Sequence, residues 1–397
     1  TRVSKRTFDD EFFRDVLRVQ NPQCGFLARS RIKYHVAAEY LLFEVAFGWM
    51  LENLHKDFQG NPFAQGMHDG VTLANKKCYQ SMGYQGIYRG VSYTLAFGFR
   101  HLRSHVAKLV GEEFAATLKR YTHLGVLVIF YSMISDLAAL KVATELLIKD
   151  IQKCKLHQGG KVGSSGMGLL VKSKNNVVLN PFPAGVALYK KMHKLACEFS
   201  YGDRAQELDD ICTELKMKPV KCQVDLNTTR MASLHNLFFA NLRLRPAIMT
   251  YIARATVKVA DLTTDAGMRE YDRLVGITPT DAEWQTAGEM ESGLLVAACQ
   301  ITLSQTEKSF TAAMDVPIER HLRCQLSPYM DQQVIVSDHP SMTAKPQRKS
   351  VNYENMTKNG REFFDRAVIA AEERFNSSMS TSQLVKSMSD IRTVKFC

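Results

Sequence analysis

The sequence contains no long apolar run, no paired cysteine motif and no phosphate-binding loop. No stretch reaches the ~20 apolar residues of a transmembrane helix, and the N-terminal residues contain no signal-peptide core, so neither a membrane partner nor secretion is predicted. The nine cysteines include no CxxC pair, which argues against a structural zinc finger and favours reduced thiols in the nucleus or cytoplasm. The glycines at 159–163 do not follow the G-x4-G-K-[ST] spacing of a nucleotide-binding loop.

Basic residues outnumber acidic ones. The chain has 51 Lys and Arg against 40 Asp and Glu, which gives a formal net charge of +11 over 397 residues. This excess is compatible with nucleic acid as a partner, although many basic proteins bind none. With 45% hydrophobic and 23% charged residues, the composition is that of an ordinary globular protein that is long enough for two or three domains.

Two lone acids frame a set of predicted strands. Asp69 lies ahead of two apolar segments within Cys78–Phe97, which Tyr88–Gly90 joins through a tight turn into a predicted hairpin. The apolar run Val126–Ile134 is too short to span a bilayer, its β-branched and aromatic content favours a buried strand, and Asp136 follows it. Acid, hairpin, helix, central strand, acid is the layout of a ribonuclease-H-type core, in which two carboxylates on neighbouring strands hold divalent metal ions.

Apolar residues at helical spacing occur before this set of strands and between its hairpin and its central strand. Steps of three and four along Val36–Leu54 predict a helix whose aromatic stripe belongs to the core. A second helix is predicted over His101–Tyr121, between the hairpin and the central strand. By contrast, the Gly- and Ser-rich stretch Ile151–Lys174 is predicted to form a long loop.

The second half of the chain is predicted to be almost wholly helical. Helices are expected around Val186–Tyr201 and over 231–260, 279–310 and 356–378. Val220–Leu226 is a candidate strand, and the polar, Pro-containing segment Pro328–Ser350 is predicted to be a linker or exposed loop. Trp284 lies at a predicted helix start with capping residues ahead of it, which favours core packing over base stacking.

Six short motifs occur here in the same order as in the hAT (hobo/Activator/Tam3) family of DNA transposases, which this sequence resembles. They are Phe13–Arg31, similar to the segment before the catalytic domain; His68–Thr72 (HDGVT, the family's DGWT); Ser135–Ala139 (SDLAA, its TDNAAN); Cys154–His157 (its C-x2-H); Asp225–Ser233 (DLNTTRMAS, its D-V-x-TRWNS); and Ser389–Thr393 (SDIRT, its LDPRTK). Each motif is short, and the six together carry the resemblance.

The resemblance implies an α/β core, a ribonuclease-H-like mixed sheet flanked by helices, with a large all-α insertion domain. Residues 1–62 would be a helical lead-in region, 63–230 the core and 231–397 the insertion domain. In the family, two Asp and a later Glu hold two metal ions for in-line attack on phosphate during cut-and-paste DNA transposition. Asp69 and Asp136 match the two Asp and are the predicted catalytic metal ligands, with Mg²⁺ or Mn²⁺ as the ion.

The resemblance also implies contacts with double-stranded DNA at transposon ends. Cys154 and His157 would lie near the transposon end, and Arg230 and Met231 would face DNA at the start of the insertion domain. Further candidates for a phosphate-facing surface are the nearby lysines Lys153, Lys155 and Lys161. The alternative for these lysines is an ordinary solvated face.

Departures from the family pattern argue against catalysis. The sequence ends at Cys397, before the dimerisation segment in which the family carries its third acid. Val71, Leu137 and Met231 replace two tryptophans and an asparagine of the family motifs, and the last of these tryptophans stacks on DNA bases in the family. We therefore interpret the chain as a hAT transposase-derived DNA-binding protein of the nucleus or cytoplasm, without catalysis and without self-association by the family's route.

Other interpretations stay open at the level of the sequence. The chain could be part of an active cut-and-paste transposase, or a helical protein-interaction scaffold with no nucleic-acid role. Asp69 could be an ordinary turn residue, because Asp-Gly is a common turn pair. Asp136 could cap the helix that is predicted to follow it.

Overall fold

The chain divides into two compact units, 1–152 and 153–397. The computed structural model describes residues 29–57, 64–72, 78–88, 91–102, 109, 112–113, 116–117, 132–135, 151–153, 155–170, 181–217, 220–222, 232–260, 265–304, 312–336 and 346–376. The division at 152 differs from the predicted boundary between core and insertion domain, which lies at residue 230, inside the second unit.

The first unit contains a helix followed by a five-stranded sheet, of which only the last residue, Lys153, is counted in the second unit. The helix is α1 (Arg29–Asp57), and the strands are β1 (Ala64–Thr72), β2 (Cys78–Tyr88), β3 (Val91–Leu102), β4 (Ser132–Ser135) and β5 (Ile151–Lys153). Across the sheet the strands follow the order β3-β2-β1-β4-β5. β1, β2 and β3 pair antiparallel, whereas β1 and β4 run parallel, so the sheet is mixed.

The predicted hairpin is confirmed, and it is longer than predicted. β2 and β3 remain paired as far as Cys78 and Leu102, so the first two residues of the segment His101–Tyr121 extend a strand and do not begin a helix. Helical residues follow at 109, 112–113 and 116–117. Of the predicted central strand Val126–Ile134, the described residues 132–134 are in β4, and the others lie outside the described residues.

The two faces of β2 differ in burial. Gln80 and Met82 are buried, whereas Tyr79, Ser81 and Gly83, which point to the other face, are only half-buried. On the buried face a helical residue covers the hairpin, since a Cβ added to Gly98 of β3 would lie 3.1 Å from Thr117 Cγ2 and 3.3 Å from Met82 Sδ. The opposite face is therefore the more open one.

The predicted aromatic stripe of α1 is partly buried. Phe47 and Met50 are buried, and the rings of Phe43 and Phe47 stack with their centroids 5.7 Å apart. Tyr40, which the pattern assigned to the same stripe, is exposed. Trp49 lies on another side of the helix and is 56% exposed. The helix thus buries one apolar stripe and leaves apolar side chains in solvent on another side.

The second unit is built from eight described helices and one short ribbon. The helices are α2 (Lys155–Gly166), α3 (Pro183–Glu198), α4 (Asp203–Glu214), α5 (Ser233–Ala260), α6 (Asp265–Ile277), α7 (Asp281–Ser304), α8 (Ala312–Leu326) and α9 (Lys358–Asn376), and the ribbon pairs β6 (Gln332–Ile335) with β7 (Arg348–Val351). The helices α5, α7 and α9 confirm the predicted helices within a few residues at the described ends. α7 packs against α2, α5, α8 and α9 and is the central helix of the unit.

The prediction of a loop over Ile151–Lys174 is wrong for most of its described residues. Residues 151–153 form β5, and α2 follows with Gly159, Gly160, Gly163 and Gly166 in its sequence. Glycine lowers helix propensity by about 1 kcal/mol per residue relative to alanine, but it also lets neighbouring helices approach closely. α2 packs against both α7 and α9, and this tertiary packing outweighs the local preference.

The packing of α2 leaves no room for a methyl group at Gly166. An added Cβ would lie 2.7 Å from Cε2 of the buried Phe363 ring, so we expect Gly166→Ala to destabilise the second unit by about 1–3 kcal/mol. Gly276→Ala is the matched control, because nothing lies within 4 Å of its added Cβ in α6. The control should be neutral or stabilising by up to about 1 kcal/mol in chemical denaturation. Equal effects of the two substitutions would contradict the tight packing of α2.

The prediction of a linker or exposed loop over Pro328–Ser350 is also wrong in part. Gln332–Ile335 form β6, which packs against α7, and Val334 and Ile335 are buried. A Cβ at Gly288 of α7 would lie 3.1 Å from Val334 Cγ1, which shows how closely the ribbon lies on this helix. Residues 337–345 lie outside the described part of the chain.

The predicted capping at the start of α7 is confirmed. The Thr280 amide donates to Glu283 Oε2 at 2.8 Å, and the Glu283 amide donates to Thr280 Oγ1 at 3.3 Å, which is a reciprocal capping box. Trp284 is fully buried, as the packing interpretation predicted. Of the candidate strand Val220–Leu226, residues 220–222 are neither helix nor strand, and the others lie outside the described residues.

Candidate functional site

Asp69 lies within β1 and not in a turn. β1 pairs with β2 without interruption from Ala64 opposite Gly86 to Thr72 opposite Cys78, and Asp69 lies opposite Ser81 in this register. The interpretation of Asp69 as a turn residue is therefore wrong, because continuous pairing on both sides of the Asp-Gly pair keeps the backbone extended.

The strand beside Asp69 is the one that leads to the second predicted acid. β1 and β4 pair in parallel, with Gln65 opposite Ser132 and Met67 opposite Ile134. Asp69 comes two residues after Met67, and in the sequence Asp136 comes two residues after Ile134. Asp136 itself lies outside the described residues, as does the helix it was predicted to cap. The first acid is thus on β1, and in the sequence the second comes directly after the strand that is the parallel neighbour of β1.

The face of the sheet on which position 69 lies also carries a ring pair. Directly opposed residues share a face and alternate residues return to it, so position 69, Ser81, Tyr79 and His101 all belong to the more open face. The Tyr79 and His101 rings meet edge to face, with centroids 5.2 Å apart and planes at 62°. His101 is exposed. The face to which position 69 belongs therefore also carries the Tyr79 ring and the exposed His101.

Sequence reasoning missed this ring pair because of a β-bulge. Counting outward from the hairpin turn, where Tyr88 pairs with Val91, would place Arg100 opposite Tyr79. The register shifts between Met82 and Gly83, so His101 takes that place. A slip of one residue moves each later side chain to the other face of the sheet. Gly83 and Gly98 lie beside this shift, and glycine inside a strand pattern is the local signal that could have indicated a bulge.

The described candidate DNA-contacting residues lie between Lys153 and Lys161, where the second unit begins. Lys153 ends β5, and α2 then carries Lys155, His157 and Lys161, the last of which is half-buried. Cys154, Arg230 and Met231 lie outside the described residues. Of the three lysines predicted to lie in a loop, Lys153 is thus in a strand, and Lys155 and Lys161 are in a packed helix.

A shallow, open cavity brings together the two segments that carry these candidates. Gly159, Gly160 and Gly163 of α2 line one side, Ala232–His235 at the start of α5 line another, and apolar residues of α7 such as Leu294 complete it. The Cys154–His157 motif directly precedes these glycines, and the Asp225–Ser233 motif ends at this rim of α5. Two motifs about 70 residues apart in the sequence therefore lead into one cavity.

A buried ionic cluster lies at the centre of the same unit. The Glu291 side chain on α7 is 0% exposed; His235 Nε2 lies 2.9 Å from Glu291 Oε1, and the Arg348 guanidinium donates to both carboxylate oxygens at 2.8 Å. Burial alone raises the pKa of the Glu291 carboxyl, but the hydrogen bonds from His235 and Arg348 and their charges outweigh it, so this pKa lies below its usual value. The cluster therefore joins α5, α7 and β7 through a carboxylate that stays ionised.

Several other basic residues of the second unit are neutralised by neighbouring acids. The pairs are Arg204 and Arg273 with Glu198, Arg254 with Glu214, Arg245 with Asp281, and Lys191 with Glu283. A cation already paired with a carboxylate contributes less to the attraction of a phosphate backbone. These ion pairs therefore use part of the basic charge of this unit within the fold.

The described residues contain no group of three or more His, Cys, Asp or Glu side chains that could hold a metal ion. The predicted pair Asp69 and Asp136 is only half described, and two carboxylates are enough for Mg²⁺, which is commonly held by one or two carboxylates together with substrate phosphates. Within the described ranges no helix is both long and apolar enough to cross a membrane.

No protein-family model matches this sequence, and no curated protein matches it. The resemblance to hAT transposases therefore depends on the six motifs alone and stays a prediction. The ribonuclease-H-like assignment of the core also stays a prediction. The structural features that bear on it are the mixed sheet and its parallel β1–β4 pair.

Proposed function

We propose that this chain is a DNA-binding protein derived from a hAT-type transposase, with Asp69 and Asp136 as the remnant of a divalent metal site on a ribonuclease-H-like core. The single observation that supports this proposal best is the parallel pairing of β1 with β4. If the register from Met67 opposite Ile134 continues for two residues, positions 69 and 136 face each other on neighbouring strands.

The spacing of neighbouring strands suits a shared metal ion. Adjacent strands lie about 4.8 Å apart, and opposed residues point to the same face, so carboxylates at positions 69 and 136 can both reach one Mg²⁺ or Mn²⁺ ion with oxygen–metal distances of about 2.0–2.2 Å. A bound ion would act as a Lewis acid on a phosphate oxygen of DNA. The role of the chain's own residues is to hold the ion on the open face of the sheet.

DNA binding is the part of the family's activity that we propose for this chain. The partner would be double-stranded DNA of transposon-end type, which implies a nuclear or cytoplasmic location. Strand cleavage and transfer belong to the alternative, that this is part of an active transposase. That alternative requires a third acid beside the first two.

The metal site can be tested by replacing one carboxylate. We expect Mg²⁺ or Mn²⁺ to raise the melting temperature of the wild-type chain, because an ion that binds only the folded state stabilises it by RT ln(1 + [L]/Kd), about 2.7 kcal/mol at 100 times Kd. Asp69→Asn should abolish this shift. Asp272→Asn, at an exposed position of α6, is the matched control and should keep it. A wild-type chain without any metal-dependent shift would contradict the proposed site.

A second candidate function is a helical scaffold without a nucleic-acid role. The observation that favours it is the pairing of Arg245, Arg254 and Arg273 with acids inside the second unit. Binding of labelled duplex DNA distinguishes the two functions. The proposed function expects an affinity that falls steeply with salt because phosphate contacts release counterions. No binding at low salt, in a chain that is folded, would favour the scaffold.

A further inference from the structure

The Tyr79–His101 pair is built into the same open face of the sheet as position 69. Tyr79 lies opposite Val71 on one side and opposite His101 on the other, and position 69 is two residues before Val71 on β1. The three positions therefore form a diagonal across β1, β2 and β3. The buried side of the sheet, with Gln80 and Met82, has no part in this face.

Strand geometry sets the distance between the two features. Two strand spacings of about 4.8 Å across the sheet and two residues of about 3.4 Å along it place His101 roughly 12 Å from position 69. This distance is the length of a few nucleotides, so an unpaired strand whose phosphate lies at position 69 can present a base a few steps away to His101.

Tyr79 and His101 have the ring types that stack on an unpaired base. His101 is exposed, and Tyr79 is half-buried and holds the imidazole through an edge-to-face contact at 5.2 Å. Exposed aromatic and His rings on sheets stack on bases of single-stranded nucleic acid irrespective of sequence. A base inside an intact duplex offers no free face, so the ligand of such a ring is an unpaired strand.

We propose that Tyr79 and His101 form a stacking contact for an unpaired DNA strand that runs from the Asp69 site across β2 and β3. This inference depends on the proposed function, because it assumes that DNA occupies the open face of the sheet. It adds a ligand class, single-stranded DNA, and it assigns two residues that the six motifs do not include. Tyr79 supports the imidazole, and His101 makes the contact with the base.

The test compares one unpaired and one paired probe. A fluorescein-labelled 12-nucleotide single strand and the duplex of the same sequence are titrated with the full chain in Mg²⁺, because a phosphate at the Asp69 site needs the ion between it and the carboxylate. We expect His101→Ala to weaken binding of the single strand roughly 5- to 100-fold and to leave duplex binding within about twofold. His101→Phe should restore most of the loss, since a phenyl ring stacks without a charge or hydrogen bond.

His321→Ala is the matched control, because His321 is an exposed histidine on α8 of the second unit. It should leave both affinities unchanged. If the wild-type chain binds both probes and His101→Ala binds the single strand as tightly as wild type, the stacking contact is wrong while the proposed function stands. If the folded wild-type chain binds neither probe, both are wrong. A loss that His101→Phe does not restore would also overturn stacking and indicate an imidazole–phosphate contact.

Discussion

Replacing Glu291 by alanine should lower the free energy of unfolding of the second unit by about 3–5 kcal/mol. Glu291 is fully buried on α7, and it accepts hydrogen bonds from His235 and from both terminal nitrogens of Arg348. The substitution removes the only acid in this cluster and leaves a guanidinium and an imidazole that are mostly shielded from water. Leaving a buried charge without its partner destabilises a fold more than replacing the whole ion pair by apolar residues does.

The measurement is chemical denaturation followed by tryptophan fluorescence. The chain has two tryptophans, Trp49 in the first unit and Trp284 in the second, so a Trp49→Phe background reports the second unit alone. Glu207→Ala, at an exposed position of α4, is the matched control and should change stability by no more than about 0.5 kcal/mol. Replacing all three members, Glu291→Leu with His235→Leu and Arg348→Met, should recover part of the loss. A Glu291→Ala variant as stable as the control would contradict the cluster.

The same cluster predicts how stability depends on pH. Because the pKa of Glu291 is lower in the folded chain than in the unfolded one, the ionised carboxylate stabilises the fold at every pH above the ordinary Glu value of about 4.3. That contribution is lost as the pH falls through the lowered pKa of the folded state. The stability difference between wild type and Glu291→Gln should therefore shrink below about pH 4. A difference that is constant down to pH 2 would contradict this assignment.

Replacing Trp284 by alanine should destabilise the second unit by a similar amount, about 3–5 kcal/mol. Trp284 is 0% exposed in the main apolar core, and the Arg245 guanidinium lies over its ring at 5.6 Å from the centroid. Alanine would leave a cavity that the first turn of α7 and the surrounding helices cannot close without moving.

A conservative substitution separates packing from hydrogen bonding at this position. Trp284 Nε1 has no hydrogen-bond partner within the described part of the chain, so Trp284→Phe loses ring volume but no hydrogen bond. We expect it to cost clearly less than alanine in far-UV circular dichroism melts. Trp49→Ala, at a 56% exposed position, is the control and should be nearly neutral. Equal losses for Phe and Ala at position 284 would show that the indole NH, and not the ring volume, is what matters there.

Three features of the chain were predictable because they depend on short stretches of sequence. The hairpin around Tyr88–Gly90 follows from two apolar segments and a turn between them, and the structure confirms it. The helices α5, α7 and α9 follow from apolar periodicity over more than fifteen residues, which is a strong local signal. The capping box of Thr280 and Glu283 follows from residue types three positions apart.

Packing decided the features that were predicted wrongly. The glycines of α2 favour a loop in isolation, but in the fold they let this helix lie against Leu294 of α7 and Phe363 of α9. The strand β6, in the segment after Pro328, has only four residues, which is too short for a clear pattern in the sequence. It forms against α7, and Val334 and Ile335 are buried there. A window of a few residues contains no information about either surface.

For the candidate site, the sequence by itself determined the residue types and their order: two acids, a hairpin between them and a short apolar strand before the second. Only the tertiary structure decided that β1 and β4 are parallel neighbours, with Met67 opposite Ile134, and that a bulge turns His101 and not Arg100 to the face of position 69. The physical reason is that strand pairing and register are set by contacts between distant segments, whereas turns, caps and helical periods are set by neighbouring residues.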